Sequence, residues 1–407
     1  MLWIRLFLPF AGAYFLSYRF RTVNAVIGPI LSRELSLGAA DLGLLTSAYF
    51  VGFGAAQMPL GVLLDRFGAR RVEPALLLVA ATGAVIFASA HSITVLAIGR
   101  GMIGVGVSAC LMAAFKSFSQ WFAPEKQSSL TGWIMSWGTF GALAASAPME
   151  WVLHVANWRE VFFGLAGVTG LVAFWLNRSV PDKPGIARPD PIAAQWAGIR
   201  EVLRSRYFWR YAPFGFAQIG GFMAVQSLWS IAWLMHVNGF TRAEAANHQA
   251  AMSMAMLVSY VLIGLLATRL ARRGISTLHL MAGGMAMSLL TLLLIITQTT
   301  DHHYALWVAY GLFSSFGTLS YAQTAAGFPV ALSGRANTSY NLMAFIGAFS
   351  LQWGMGGIID LRHAQGGSAA SGYRDAFIVL FIVQLSAYLW LLFGGRKNSG
   401  QNGCKPL

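Results

Sequence analysis

The chain has 407 residues, of which 57% are apolar and only 10% charged, with a formal net charge of +14. A soluble domain carries about 25% charged residues, so the composition excludes an ordinary soluble protein and describes an integral membrane protein. The positive balance is no nucleic-acid footprint, because the basic residues lie in short segments between apolar runs, where they set orientation; Cys110 and Cys404 supply neither a disulfide framework nor a metal cluster.

The first apolar run, Leu6 to Leu31, is too long for a signal-peptide core and is read as a retained span 1. At about 1.5 Å per residue it reaches roughly 39 Å, which places Arg19 and Arg21 near mid-depth. One arginine at a span centre costs about 2.5 to 3.5 kcal/mol unless it faces a hydrated cavity or a partner. Tyr14, Tyr18, Arg21 and Ala25 share one helical face, with Ser17 and Asn24 beside it. Arg19 points about 200° away at 100° per residue. Arg21 is therefore the residue expected to look into a polar cavity, with Tyr18, Asn24 and Arg19 as further candidate substrate contacts; a structural ion pair with another helix is the alternative for Arg21 and, more so, for Arg19.

Further spans are predicted at 40–61, 72–91, 93–121, 130–153, 160–177, 209–235, 248–268, 277–297, 304–328, 337–359 and 375–394, giving twelve. With the N-terminus inside, cytoplasmic segments hold nineteen basic residues, and the opposite side only Arg33, Arg159, Arg242, Arg362 and Arg374. That split puts both termini in the cytoplasm of a bacterial inner membrane. The longest polar stretch, 178–208, divides the chain into an N-terminal six-helix bundle (1–177) and a C-terminal one (209–395), followed by a tail at 396–407. Pro181, Pro184, Pro189 and Pro191 interrupt helix there. Beyond them Ile192, Trp196, Ile199 and Leu203 share a face, with Arg200, Arg204 and Arg206 available for lipid phosphates, so an interfacial amphipathic helix is expected.

A repeat supports the two halves: Gly61-Val-Leu-Leu-Asp65-Arg66 is echoed 203 residues later by Gly264-Leu-Leu-Ala-Thr268-Arg269, each between the second and third spans of its half. Parallel six-helix repeats with a substrate site between them are a known transporter design. The stretch Gly61-x-x-x-Asp65-Arg66-x-Gly68-x-Arg70-Arg71 resembles the signature loop of the major facilitator superfamily. Arg100-x-x-x-Gly104-x-Gly106 resembles its second motif, and Asn157-Trp158-Arg159 is similar to a Gly-Trp-Arg element of the same superfamily. The resemblance covers almost the whole chain and implies an all-α fold of twelve transmembrane helices in two bundles, with spans 1, 4, 7 and 10 around a central cavity. At subfamily level, Tyr18-x-x-Arg21-x-x-Asn24 resembles span 1 of bacterial organic-anion importers, although substrate does not transfer with fold.

By the same resemblance Asp65 meets the start of span 11, near Arg335 to Thr338, where a carboxylate is stabilised by about 0.3 to 1 kcal/mol at a helix N-terminus. Gly61, Arg66, Gly68, Arg70 and Arg71 belong to that gating loop. The alternative for Asp65 is a solvated loop acid paired with Arg66 or Arg70. Thr268 replaces the acid in the second half, so the lock is expected on one side only. Arg100 resembles the superfamily arginine linked to proton coupling, or else is a buried anchor on carbonyls. Lys116 is an interfacial anchor or an anion contact in the inner cavity.

Acids are scarce. Glu150, Asp360 and Asp375 fall near outer helix ends and Glu73 near an inner end, leaving no carboxylate at mid-depth to serve an organic cation. Histidines also lie at or near helix ends. Glu150 and Arg100 are the coupling candidates. Neutral hydrogen-bonding candidates for the site are Gln218 and Gln226 on span 7, Tyr321 on span 10 and Asn341 on span 11, each with interhelical bonding as the alternative. No nucleotide loop, zincin helix or nucleophile elbow is present, so an enzyme is disfavoured and no cofactor is expected. The leading expectation is a monomeric, lipid-embedded secondary carrier importing a small organic anion by alternating access. An exporter of an amphipathic metabolite, drug or siderophore, or a non-transporting sensor on the same fold, are the other readings.

Overall fold

The computed structural model describes residues 2–122, 124–181, 192–274 and 276–394, and among them it is helical throughout, without strands. Every predicted span falls on helix. Spans 1 to 3 are Leu2–Leu35, Ala39–Phe67 and Ala69–Ser89; span 4 is Ile93–Val107 continued by Cys110–Trp121; span 5 is Pro124–Ala144 continued by Ala147–Val152; and span 6 is Trp158–Ser179. Span 7 runs from Arg206 to His236, span 8 is Arg242–Arg272, span 9 Thr277–Thr297, span 10 runs from His303 to Ala326, span 11 is Val330–Ala364 and span 12 Ala369–Phe393. Spans 2, 3, 4, 6, 9, 11 and 12 are each long and apolar enough to cross a membrane. The other five are broken or dotted with polar groups, Arg19 and Arg21 in span 1 and Gln218 and Gln226 in span 7 among them.

Among the described residues four spans depart from regular α geometry, span 5 at Ala145 and Ser146 between its two segments. Span 4 breaks at Ser108 and Ala109, and the Gln57 amide of span 2 donates to the freed Ser108 carbonyl at 3.2 Å. Span 7 contains two wide π-type turns, Gly215–Gly220 and Val225–Trp229, and span 10 a tight turn at Ser315–Thr318. Such irregularities inside a bilayer persist where protein re-satisfies the backbone, and they gather at functional sites.

Packing follows small residues. A Cβ on Gly52 would run into the Gly101 carbonyl, one on Gly104 into the Tyr49 carbonyl, and one on Gly347 into the Phe216 carbonyl. Backbones therefore touch directly between spans 2 and 4 and between spans 11 and 7, the arrangement expected where lipid supplies no hydrophobic drive between helices. Gly356 packs in the same way on Ala39, whereas Gly354 and Gly357 face open space. Span 2 also lies along span 11, span 5 against span 8, and span 1 against the second π-type turn of span 7.

At the signature loop Gly68 has φ 76° and ψ 159°, a region open essentially to glycine alone, and it turns the chain from span 2 directly into span 3. The linker helix Ile192–Arg204 differs from its expected interfacial role. Val202 is fully buried with Phe208 and Tyr340, and Gly198 lies against the Arg335 side chain, so this helix is seated on protein at the start of span 11. Arg200 and Arg204 remain exposed. Of its predicted apolar face, Ile199 and Leu203 are half-buried. The side chains of Ile192 and Trp196 lie outside the described residues.

Candidate functional site

Arg21 is buried, at 9% exposure, in the middle of span 1. Its guanidinium lies 3.7 Å from the centroid of the Tyr18 ring, and Tyr18 in turn meets Tyr14 edge-on at 5.0 Å. This stacking is possible because span 5 presents Gly138 there: a Cβ would come within 2.8 Å of Tyr14 Cδ1 and 3.0 Å of Tyr18 Cδ2. Among the described residues, the ionisable groups near Arg21 are phenols. Tyr18, Tyr49 and Tyr14 come from spans 1 and 2, and Tyr260 and Tyr321 from spans 8 and 10. No described carboxylate is among them. A guanidinium over a desolvated ring gains about 0.5 to 2 kcal/mol, less than the cost of burying the charge. Arg21 Nε and both side-chain polar atoms of Asn24, which is fully buried one turn further on, lack hydrogen-bond partners among the described residues. Buried polar groups in a native fold are nearly always satisfied, so these adjacent atoms are exceptions.

The scaffold holding Arg21 is itself polar. Arg100, wholly buried in span 4, donates from Nη1 to the Phe20 carbonyl at 2.9 Å and stands 5.3 Å from the Tyr49 ring centroid. Tyr49 donates its hydroxyl to the Ser17 carbonyl at 3.3 Å. Two side chains from spans 4 and 2 thus grip the backbone of span 1 on either side of Tyr18, fixing the rotation that presents Arg21. Of the two readings of Arg100, the structure displays the carbonyl anchor.

The expected partners sort unevenly. Tyr321 donates to Asn341 Oδ1 at 2.6 Å, and this pair from spans 10 and 11 is brought towards Arg21. Gln218 is engaged elsewhere: its amide donates to the Gln384 carbonyl on span 12 at 2.9 Å, in a reciprocal pair with Gln384 and Ala217. Gln226 donates to the Met256 sulfur at 3.0 Å, one turn from Tyr260, so the two glutamines do not close one pocket. Among the described residues Arg19 finds the Met149 sulfur, at 4.0 Å, and no ion pair. Lys116 is half-buried on the inner segment of span 4 and is not among the groups acting on Arg21. Tyr49, Tyr260 and Gly138 were not singled out from sequence; a tyrosine inside an apolar span was the available signal for the first two. The residues near Arg21 consequently come from spans 2, 5 and 8 as well as 1 and 10.

Two contacts join sequence-distant halves at the end remote from the termini. Asp360, at the close of span 11, accepts from the backbone N–H groups of Ala39 at 2.8 Å and Ala40 at 2.6 Å, capping the N-terminus of span 2. Gly38 is small enough to let that carboxylate approach. Glu150 forms an ion pair with Arg242 Nε at 2.7 Å and lies 3.8 Å from His154. At the same end Trp158 donates to Glu34 at 2.6 Å, and Arg159 pairs with Glu34, stacks 4.2 Å from the Trp158 ring and donates to the Ala90 carbonyl at 3.2 Å. Burial alone pushes the Glu34 carboxyl up, but those bonds outweigh it and hold it below the ordinary glutamate range. In the signature loop Arg70 donates to the Asn177 carbonyl at 3.1 Å, Arg66 lies over Phe67, and Gly61 and Arg71 are exposed. The Asp65 side chain and those of the second-half counterpart from Gly264 through Thr268 to Arg269 lie outside the described residues.

Comparison with known proteins gives this geometry a context. The chain is 27% identical over 277 residues to the "Probable sulfoacetate transporter SauU" of Cupriavidus necator, covering 64% of each chain. It is 24% identical over 217 residues to the hexuronate transporter of Escherichia coli, covering 48% of this chain and 49% of that one. It thus spans just under two thirds of the first of these relatives and about half of the second. Among solved structures, a bacterial homologue of the human lysosomal transporter Spinster, inward-facing and unoccupied, superposes with a TM-score of 0.74 at 18% identity over 95% of each chain, which speaks for the fold alone. The family model described as Major Facilitator Superfamily matches residues 10–352. With helical spans, gripped arginine and glycine-packed bundle in agreement, the chain belongs to the major facilitator superfamily.

Proposed function

We propose that this chain is a transporter that imports a small organic carboxylate across a bacterial inner membrane, by rocking the halves 1–177 and 209–395 about a site centred on Arg21. One observation carries the reading: a buried guanidinium at mid-span with phenols around it, no described carboxylate acting on it, and an unsatisfied Asn24 beside it. The anion that completes the pair comes from outside the chain. A carboxylate accepts two parallel hydrogen bonds from a guanidinium, and phenolic hydroxyls and an amide N–H₂ satisfy its remaining lone pairs. Tyr260, Tyr321 and Asn341 bring the second half to the same ligand, which gives each half a hold on it. The names of relatives acting on sulfoacetate and hexuronate support an acidic substrate.

Asp360 on the span 2 N-terminus and Glu150 on Arg242 act in this reading as the outer closure, and Asp65 at the start of span 11 as the inner one. Proteoliposome counterflow with sulfoacetate, hexuronates and short mono- and dicarboxylates tests the assignment. A carboxylate must exchange in the wild type and fail to exchange in Arg21→Gln. Exchange of organic cations, or of the same carboxylate by both proteins alike, overturns it.

A further inference from the structure

Glu73 stands apart from the site. It lies in the second turn of span 3, one turn from the face that carries the termini, yet it is wholly buried, and neither carboxyl oxygen has a hydrogen-bond partner among the described residues. On its own helix, Arg70 is turned to the Asn177 carbonyl of span 6. From span 4 the one polar group that acts on it is the Cys110 thiol, at the point where that span resumes after its break; Lys116, further along, does not act on it, and neither does any described charge from spans 2 or 6. An unpaired carboxylate buried among apolar groups costs several kcal/mol, a cost that the neutral acid avoids.

The surroundings connect this acid to the ligand site. Cys110 interacts with Ser17 of span 1, one turn before Arg21, and the Ser17 carbonyl is gripped by Tyr49, which also acts on Arg21. The break in span 4 at Ser108 and Ala109, bonded by Gln57, provides a hinge beside the acid. We propose that Glu73 is the proton-binding site that couples transport to the proton gradient: its carboxylate takes a proton from the outer solution, carries it through the closed arrangement as the neutral acid, and releases it to the cytoplasm when water reaches the second turn of span 3. No bond other than O–H forms or breaks, and the transmembrane proton gradient is the driving co-substrate. Glu150 and Arg100 are replaced in this role because one is ion-paired and the other anchors a carbonyl.

The proposal rests on the carboxylate-import reading, and the two fail separately. In proteoliposomes with labelled sulfoacetate, counterflow needs no net proton movement, whereas accumulation against a gradient does. Glu73→Gln is expected to keep counterflow and to lose proton-driven accumulation; accumulation at the wild-type level overturns the proposal. Wild-type protein without counterflow refutes the substrate reading alone, and a measurement independent of substrate then decides. Infrared pH-difference spectra of the wild type in detergent must contain a carboxylic-acid C=O band that Glu73→Gln removes. If the Gln variant does not fold, Glu73→Asp must shift that band. A band unchanged by the variant, or absent from the wild type, overturns the proposal.

Discussion

Replacing Asp360 by Asn keeps the side chain's shape and removes its charge at the contact that joins the end of span 11 to the beginning of span 2. In the structure both carboxylate oxygens are used, one by Ala39 N–H at 2.8 Å and one by Ala40 N–H at 2.6 Å. An amide has one acceptor oxygen, so one bond is lost outright and the survivor becomes a neutral bond. Hydrogen bonds to charged groups are worth about 1.5 to 3 kcal/mol each, and a carboxylate on a helix N-terminus gains a further 0.3 to 1 or so. The loss of about 1.5 to 3 kcal/mol should shift the equilibrium between outward-closed and outward-open forms by roughly 10- to 100-fold. Spin labels at the exposed positions Val155 and Leu361 report this as a longer distance population in Asp360→Asn. Arg242→Gln, which opens the separate pair with Glu150, should lengthen the same distance. A distribution identical to wild type in Asp360→Asn would show that the cap is ornamental and that helix packing alone closes this end.

Arg21→Lys retains charge but loses the planar fork and the stacking on Tyr18, and carboxylate affinity measured by ligand-induced melting shift should fall by roughly tenfold or more; equal shifts in the two proteins refute two-point recognition. Gly138→Ala should push Tyr14 and Tyr18 off Arg21 and cost about 1 to 3 kcal/mol of stability, visible as a lower melting temperature together with weaker binding. Asp65→Asn should favour the inward-facing population in spin-label distances across the cytoplasmic face, and an unchanged population counts against the inner lock. Glu34 has its acid dissociation favoured by folding, so its contribution is fully present above the unfolded glutamate value of about 4.3 and is lost as pH falls through its lower folded value. The acid side of the melting curve against pH should therefore be flatter in Glu34→Gln, and parallel curves would contradict the assignment.

How much of this could be read before the structure depended on the range of the interaction involved. Helix is a local property: apolar runs of spanning length, with basic residues in the gaps, fixed where all the described spans lie, because a backbone in lipid must bond to itself. Arg21 was legible for a related reason, since a charge in an apolar run has so few stable solutions that helical spacing with Tyr18 and Asn24 points to one of them. Gly68 was legible through its motif, and its left-handed φ explains why that position takes glycine. The partners were another matter. Whether Gln218 turned to the cavity or to Gln384, whether Arg100 served a proton or the Phe20 carbonyl, and whether the linker helix met lipid or span 11 depended on how helices more than a hundred residues apart rotate and approach, in most of these cases. Those rotations are set by steric fit at glycine contacts such as Gly104 on Tyr49 and Gly347 on Phe216, which no periodicity encodes. Glu73 shows the limit most plainly. The sequence places it near an inner helix end, and only the packing of spans 3 and 4 removes it from water and leaves, among the described residues, a thiol as the polar group acting on it.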